Sequence, residues 1–321
     1  MRKASGWWRV PAPSERAAAV VLVLAAAGST QFGAALAALL FPRVGAVGVV
    51  TLRLTVAAVL LLVVFRPALR GRTRRDLALV GGLGVALAAM NTSFYAAIER
   101  IPLGAAVTLE VLGPLALSVL ASRRRVALVW AALALAGVAL LSGGGTGGLD
   151  PVGVGFALVA AAMWAAYILL TAGVGRRFAR ADGLALAMAV AAALTLPLGA
   201  VHAGRDLLVP GTLAAGAAVA VLSSALPYSL EMASLRRLPA SAFAVMMSLA
   251  PAVAALAGFL VLDQRLGAGQ LAAVALVVVA SAGAVRTAGD APGGRRGGEG
   301  GGRRAGTLRG RESDAGHTVD P

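Results

Sequence analysis

Residues 90–125 read MNTSFYAAIERIPLGAAVTLEVLGPLALSVLASRRR and place one carboxylate, Glu110, in the middle of an otherwise apolar helix. A charge at the centre of a membrane span costs at least about 2.5 kcal/mol, so such acids face a bundle interior or a wet cavity and mark transport pathways. Four residues on, Pro114 has no N–H to give, which leaves the carbonyl of Glu110 without its helical partner. Side chain and backbone oxygen are freed at one point, as in the broken helices from which carriers build their sites. The plainer alternative is a structural kink beside a locally paired acid.

The rest of the chain has the composition that such a helix requires. Of 321 residues, 59% are hydrophobic and 13% charged, and the mean hydropathy is +0.84. This usage is far outside that of soluble globules and defines an all-α polytopic membrane protein. There is no cysteine, hence no disulfide framework or thiolate chemistry, and His202 and His317 are too far apart for a metal cluster, so neither metal nor cofactor is expected. A net charge of +15 suggests nucleic acid in a soluble protein, but here the arginines lie between apolar segments and report topology instead. No nucleic-acid partner is expected.

At about 20 residues per span, helices are expected near 17–41, 45–65, 77–98, 102–121 and 126–142, then 151–174, 183–202, 211–234, 239–260 and 266–285, the two sets parted by SGGGTGGLD. Residues 1–16 read as a cytoplasmic lead with Trp7 and Trp8 as interfacial anchors, and the run that follows is too long for a cleavable signal core. Ten spans from a cytoplasmic N-terminus put nearly all of the 29 Lys and Arg inside. The exceptions are Arg43, Arg100, Arg205 and Arg265 on the other face and Arg53 within a span. That asymmetry predicts a multi-pass protein of the cell membrane with both termini cytoplasmic.

Five spans per half make any repeat between residues 17–142 and 151–286 an inverted one. Ile101-Pro102 and Gly113-Pro114 recur with the same spacing as Leu238-Pro239 and Ala250-Pro251. Residues 287–321 are Gly/Arg-rich without an apolar run and are expected to be a disordered cytoplasmic tail.

Counted from the outer ends of their spans at 1.5 Å per residue, Gln31, Arg53, Asn91 and Glu110 share a layer roughly 10 to 16 Å deep. A half-bilayer is about 15 Å, so this layer approaches the midplane, where alternating-access carriers hold substrate. The second half contributes Trp164, Tyr167, Ser223, Ser224, Met246, Met247 and Ser248 at comparable depth. Singly, each has a packing explanation. Glu231, near Arg236 and Arg237, reads equally as a gate acid or as a solvated helix-end charge. Pro227 frees the carbonyl of Ser223 and is expected to bend its helix, and Pro251 plays the part of Pro114 in the second half.

Four ordered blocks, LFPRVGAVGVVTLRL around Arg53, MNTSFYAAI around Asn91 and Tyr95, IPLGAAVTLEVLGPLALSVLASRRR around Glu110, and LPYSLEMASLRRLP around Tyr228 and Glu231, carry a resemblance that spans residues 17–286. The chain resembles the drug/metabolite transporter superfamily with EamA repeats, and within it the bacterial threonine and homoserine exporters. The resemblance implies a ten-helix carrier that exports small amino acids in exchange for protons, and adds Tyr95 and Tyr228 to the candidate site. One departure stands out: those exporters typically read MSMEPA where this chain reads MSLAPA, so Ala250 replaces an acid, and Asp263-Gln264 replaces a Gly-Glu pair.

A zwitterionic amino acid has one ammonium and one carboxylate, and the polar layer offers one anion, Glu110, and one cation, Arg53. The expected partners are therefore an amino-acid substrate, protons and the lipid bilayer. Three alternatives stay open: a Glu110–Arg53 ion pair that only joins helices, a carrier of cationic drugs or other metabolites, and a receptor or assembly subunit without transport. Composition leaves the oligomeric state open, and an intramembrane enzyme lacks a converging nucleophile, metal set or acid pair.

Overall fold

The computed structural model describes residues 13–68, 71–121, 125–143, 149–178, 181–227, 230 and 245–289. The expectations placed on residues 1–12, Tyr228, Glu231, Leu238-Pro239 and 290–321 lie outside the described residues. Every regular element among the described residues is helical.

Helix α1 covers Pro13–Ala38 and α2 covers Phe41–Phe65, with a break at Gly45, whose φ of 65° and ψ of 170° suit a residue without Cβ. Helix α3, Arg74–Ile98, starts three residues before the expected boundary because Thr73 and Asp76 form a capping box, each side chain accepting the other's backbone N–H. The span expected as one helix over 102–121 is two, α4 at Leu103–Glu110 and α5 at Leu112–Ala121. They part at the residue after Glu110, just ahead of the missing N–H of Pro114. Helix α6 is Val126–Gly143, and α7, Pro151–Gly175, is capped by Asp150, which accepts from the Val152 N–H. That N–H, with Arg100 assisting against partial burial, holds the Asp150 carboxyl below the usual range.

Helix α8, Asp182–Ala203, leads through a 3-10 turn at Gly204–Leu208 into α9, Pro210–Ala220. The expected continuation of that span is not a plain α-helix: Val221–Ala225 is a π-helical turn, in which the Leu226 N–H reaches the Val221 carbonyl immediately before Pro227. A wider turn is the local answer to a residue that cannot donate. Helix α10, Ala250–Leu262, carries Pro251 in its first turn, just after a break at Ser248 and Leu249 that parts it from the helical residues 245–247, and α11 is Ala268–Gly289. Among the described residues, eight helical stretches are long and apolar enough to cross a membrane, and two shorter apolar ones, Val126–Leu141 and Pro210–Ser224, fall at the remaining expected spans.

The packing closes a ring. In order, α1 packs on the π-helical turn and α9, these on α2, α2 on α8, α8 on α3, α3 on α7, α7 on α4 and α5, α4 on α10, and α10 on α1. The α6–α11 pair packs on α4 and α5. Close approach at the seams depends on missing side chains: Gly216 faces Leu52, Gly199 faces Thr51, Gly84 faces Val190, Gly113 faces Ala161 and Gly104 faces Ala255. Such small-residue contacts are how helices associate where lipid is as apolar as the side chains. Two ion pairs tie opposite ends of the antiparallel α3–α7 pair, Arg177 to Asp76 at 2.9 Å and Arg100 to Asp150 at 3.4 Å. Partly solvated pairs like these contribute about 1 kcal/mol at most.

Gly113 offers a direct test of the seams. A Cβ there overlaps the Ala161 carbonyl oxygen, a backbone atom that cannot swing aside, whereas Gly155 has nothing within 4 Å. Gly113→Ala is expected to destabilise the detergent-solubilised protein by about 1–3 kcal/mol, and Gly155→Ala to leave it unchanged or slightly firmer. Thermal unfolding of the two variants side by side checks this.

Candidate functional site

The site is built outward from a half-buried arginine. Helix α2 past its Gly45 break carries Arg53, whose Nη1 donates to the Tyr95 hydroxyl at 3.2 Å, with the guanidinium carbon 5.6 Å from the tyrosine ring centroid. Tyr95 is completely buried on α3. Its ring is fixed edge-on by Phe94 at 5.8 Å and Phe41 at 6.0 Å, so the hydroxyl is presented to Arg53 by a rigid aromatic cluster. The Arg53 Nε is buried and has no hydrogen-bond partner among the described residues. A buried donor left unmade costs about 1–3 kcal/mol, more when charged, which marks that edge of the guanidinium as waiting for an acceptor.

Glu110 ends α4 and is half-buried. Its carbonyl has no helical donor because Pro114 stands where the N–H belongs. No ion pair within 4.0 Å joins Glu110 to Arg53 among the described residues. The helix-joining ion pair left open by the sequence is thus not the geometry found. Cation and anion are thus not spent on each other in an ion pair.

Asn91 is buried one helical turn before Tyr95 on the same face of α3, and its amide donates to the Leu87 carbonyl at 2.8 Å. Gln31 is buried on α1. Gln31 and Asn91 lie seven residues from the C-terminal ends of α1 and α3, and Glu110 seven residues from the N-terminal end of α4, about 10 Å along each helix. Trp164 and Tyr167 on α7 are half-buried against the core that contains Tyr95 and Leu109. No hydrogen bond joins Gln31, Trp164 or Ser224 to the Arg53–Tyr95 pair among the described residues.

In the second half, Ser29 donates across to the Leu222 carbonyl at 2.6 Å, inside the π-helical turn, while Ser223 is buried without a partner against Gly33. Ser224 is half-buried in that turn and Pro227 is buried just after it. Ser248 spends its hydroxyl on the Val245 carbonyl at 2.6 Å, and Met246 and Met247 are half-buried. The structure thus joins Arg53 to Tyr95 and sets Asn91 one helical turn from Tyr95, and no hydrogen bond or ion pair ties Glu110 to them among the described residues. Phe41 and Phe94, which fix Tyr95, were not singled out in the sequence. Their signal was faint: two aromatics flanking a glycine break and a tyrosine spaced four from Asn91.

Comparison with known proteins identifies the family. Residues 151–286 match the EamA-like transporter family. The threonine/homoserine exporters RhtA of Escherichia coli K12 and Salmonella typhimurium LT2 are each 42% identical to the chain over 271 residues, covering 84% of it and 91% of the relative. A protein of known crystal structure shares the fold at a TM-score of 0.56 and 21% identity, covering 85% of this chain and 98% of its own. The chain belongs to the EamA-like transporter family.

The Arg53–Tyr95 contact can be tested without a substrate. Tyr95→Phe keeps the aromatic packing but strands Nη1, and is expected to cost about 1–3 kcal/mol of stability. Arg53→Met removes the group that needs the hydroxyl. In a double-mutant cycle on the solubilised protein, the pair is expected to cost less than the sum of the singles. Strict additivity would contradict the contact.

Proposed function

We propose that the chain is a ten-helix carrier of the inner membrane that exports threonine, homoserine and similar small amino acids by alternating access, in exchange for protons. Its membrane-spanning, all-helical fold and the names of its relatives place it among transporters, not enzymes. The observation that carries the substrate reading is the unpaired Nε of Arg53 beside a Tyr95-anchored Nη1, with Glu110 in no ion pair among the described residues. A guanidinium held on one side offers its other edge to a carboxylate, and the acid offers oxygens to an ammonium.

Support for the ten-helix, inverted arrangement comes from the packing. If α4–α5 count as one span, and α9 with its π-helical turn as another, each contact between a first-half and a second-half helix around the ring has its counterpart with the halves exchanged. The pairing of α3 with α7 corresponds to that of α9 with α1, and the pairing of α3 with α8 to that of α9 with α2. Inverted repeats related by a two-fold axis in the membrane plane have this property. The arginine distribution sets both termini in the cytoplasm, and the two halves are residues 17–142 and 151–286.

In the proposed cycle the substrate carboxylate lies on Arg53 and its ammonium on Glu110. Release outside lets a proton take the ammonium's place on Glu110, so proton and ammonium compete for one carboxylate and exchange follows. With Ala250 where the exporters' second-half acid stands, Glu110 is the coupling acid here. Threonine efflux driven by a pH gradient, measured in inverted vesicles, tests this. Glu110→Gln is expected to insert and fold but lose pH-driven flux, and Glu231→Gln to keep it. Full coupled flux in the Glu110 variant with loss in the Glu231 variant would reverse the assignment.

A further inference from the structure

Helix α4 begins at Leu103 behind Pro102, an N-cap residue with no side-chain oxygen, so its first N–H groups have no cap of their own. The Leu103 N–H is nevertheless bonded, at 2.9 Å, to the Oε1 of Gln264, which belongs to the other half of the chain. Gln264 lies in the short link between α10 and α11, and three features seat it there. Asp263 takes the left-handed conformation at φ 51° and closes α10 with its N–H on the Gly258 carbonyl. The Gln264 N–H also reaches the Gly258 carbonyl, at 3.1 Å. A Cβ at Gly258 would lie 2.6 Å from the Gln264 Oε1, so the glycine makes room for the carboxamide to lie over the end of α10 and aim at α4. The two helices are already in backbone contact here, since a Cβ at Gly104 would come within 2.8 Å of the Ala255 Cα.

We infer that Gln264 is a positioning residue that caps α4, the helix ending in Glu110, from across the seam between the halves, and that this bond is a clasp that closes the α4–α10 seam. The inference rests on the reading of the chain as an alternating-access carrier with these helix ends outside. When α4 and α10 part, the Leu103 N–H loses its acceptor, so the clasp opposes parting by the worth of one hydrogen bond. The function requires an acceptor at the end of a side chain of this length, not the carboxamide itself. Glutamate supplies the same oxygen. Leucine fills the same space without it, and asparagine is one methylene too short to reach.

The chain has no cysteine, so Leu103→Cys gives a single reporter that keeps the backbone N–H and lies fully buried in the seam. In this background, a membrane-impermeant maleimide applied outside reports how often the seam opens. Gln264→Leu and Gln264→Asn are expected to label about five-fold faster than the parent, the population shift from losing one hydrogen bond of ordinary net strength. Gln264→Glu is expected to label at the parent rate, a rescue that a purely steric role would not give. Should the leucine variant fail to insert, the asparagine variant carries the same expectation. Parent-like labelling in the variants without a reaching acceptor, or fast labelling in the glutamate variant, overturns the clasp. Threonine counterflow by the wild-type protein is measured in parallel: its absence would overturn the proposed function while leaving the labelling result to judge the clasp.

Discussion

A guanidinium inside an apolar helix bundle has to be held by something, and the way Arg53 is held governs much of this molecule. A charge in low dielectric is tolerated only with partners, and one partner, the Tyr95 hydroxyl, is itself immobilised by Phe41 and Phe94. That arrangement satisfies one nitrogen and leaves Nε buried and unpaired. Folding alone gives no reason to keep such a group, because an apolar residue of similar volume serves packing as well or better. A ligand with a carboxylate does give one.

The ring of helices makes this possible by keeping the seams thin. Gly216, Gly199, Gly84, Gly113 and Gly104 let backbones approach at successive contacts, so cohesion comes from the seams and the facing interior is free to be polar. The broken elements fall at the same places. Glu110 ends α4 where Pro114 withholds a donor, and the π-helical turn at Val221–Ala225 precedes Pro227 in the other half. In both, a proline turns backbone hydrogen-bonding capacity away from the helix and toward the interior. At the π-helical turn the Leu222 carbonyl is taken up by Ser29 from α1.

Much of this was legible in the chain itself. Apolar runs of about 20 residues gave the spans because lipid admits few alternatives, and the Glu110–Pro114 spacing foretold the break between α4 and α5. Gly45, the expected start of a span, proved to be a break within a helix that begins four residues earlier, at Phe41. Less visible were contacts between residues remote in sequence, Arg53 with Tyr95, Ser29 with Leu222, Leu103 with Gln264, because no local pattern encodes which helices share a seam. Depth alone also said nothing of the Ser248 hydroxyl, which bonds the Val245 carbonyl of its own segment. A polar residue at the right height is a candidate, and only its hydrogen-bond partners decide whether it is available.

The most direct measurement is the affinity of the purified protein for threonine and for threonine amide, each with wild type and Arg53→Gln. If the open edge of Arg53 holds the substrate carboxylate, the wild type binds threonine roughly ten-fold or more tightly than the amide, as expected for charge-assisted hydrogen bonds of about 1.5–3 kcal/mol, and Arg53→Gln abolishes the difference. Equal affinity of the wild type for threonine and its amide would contradict that role for Arg53.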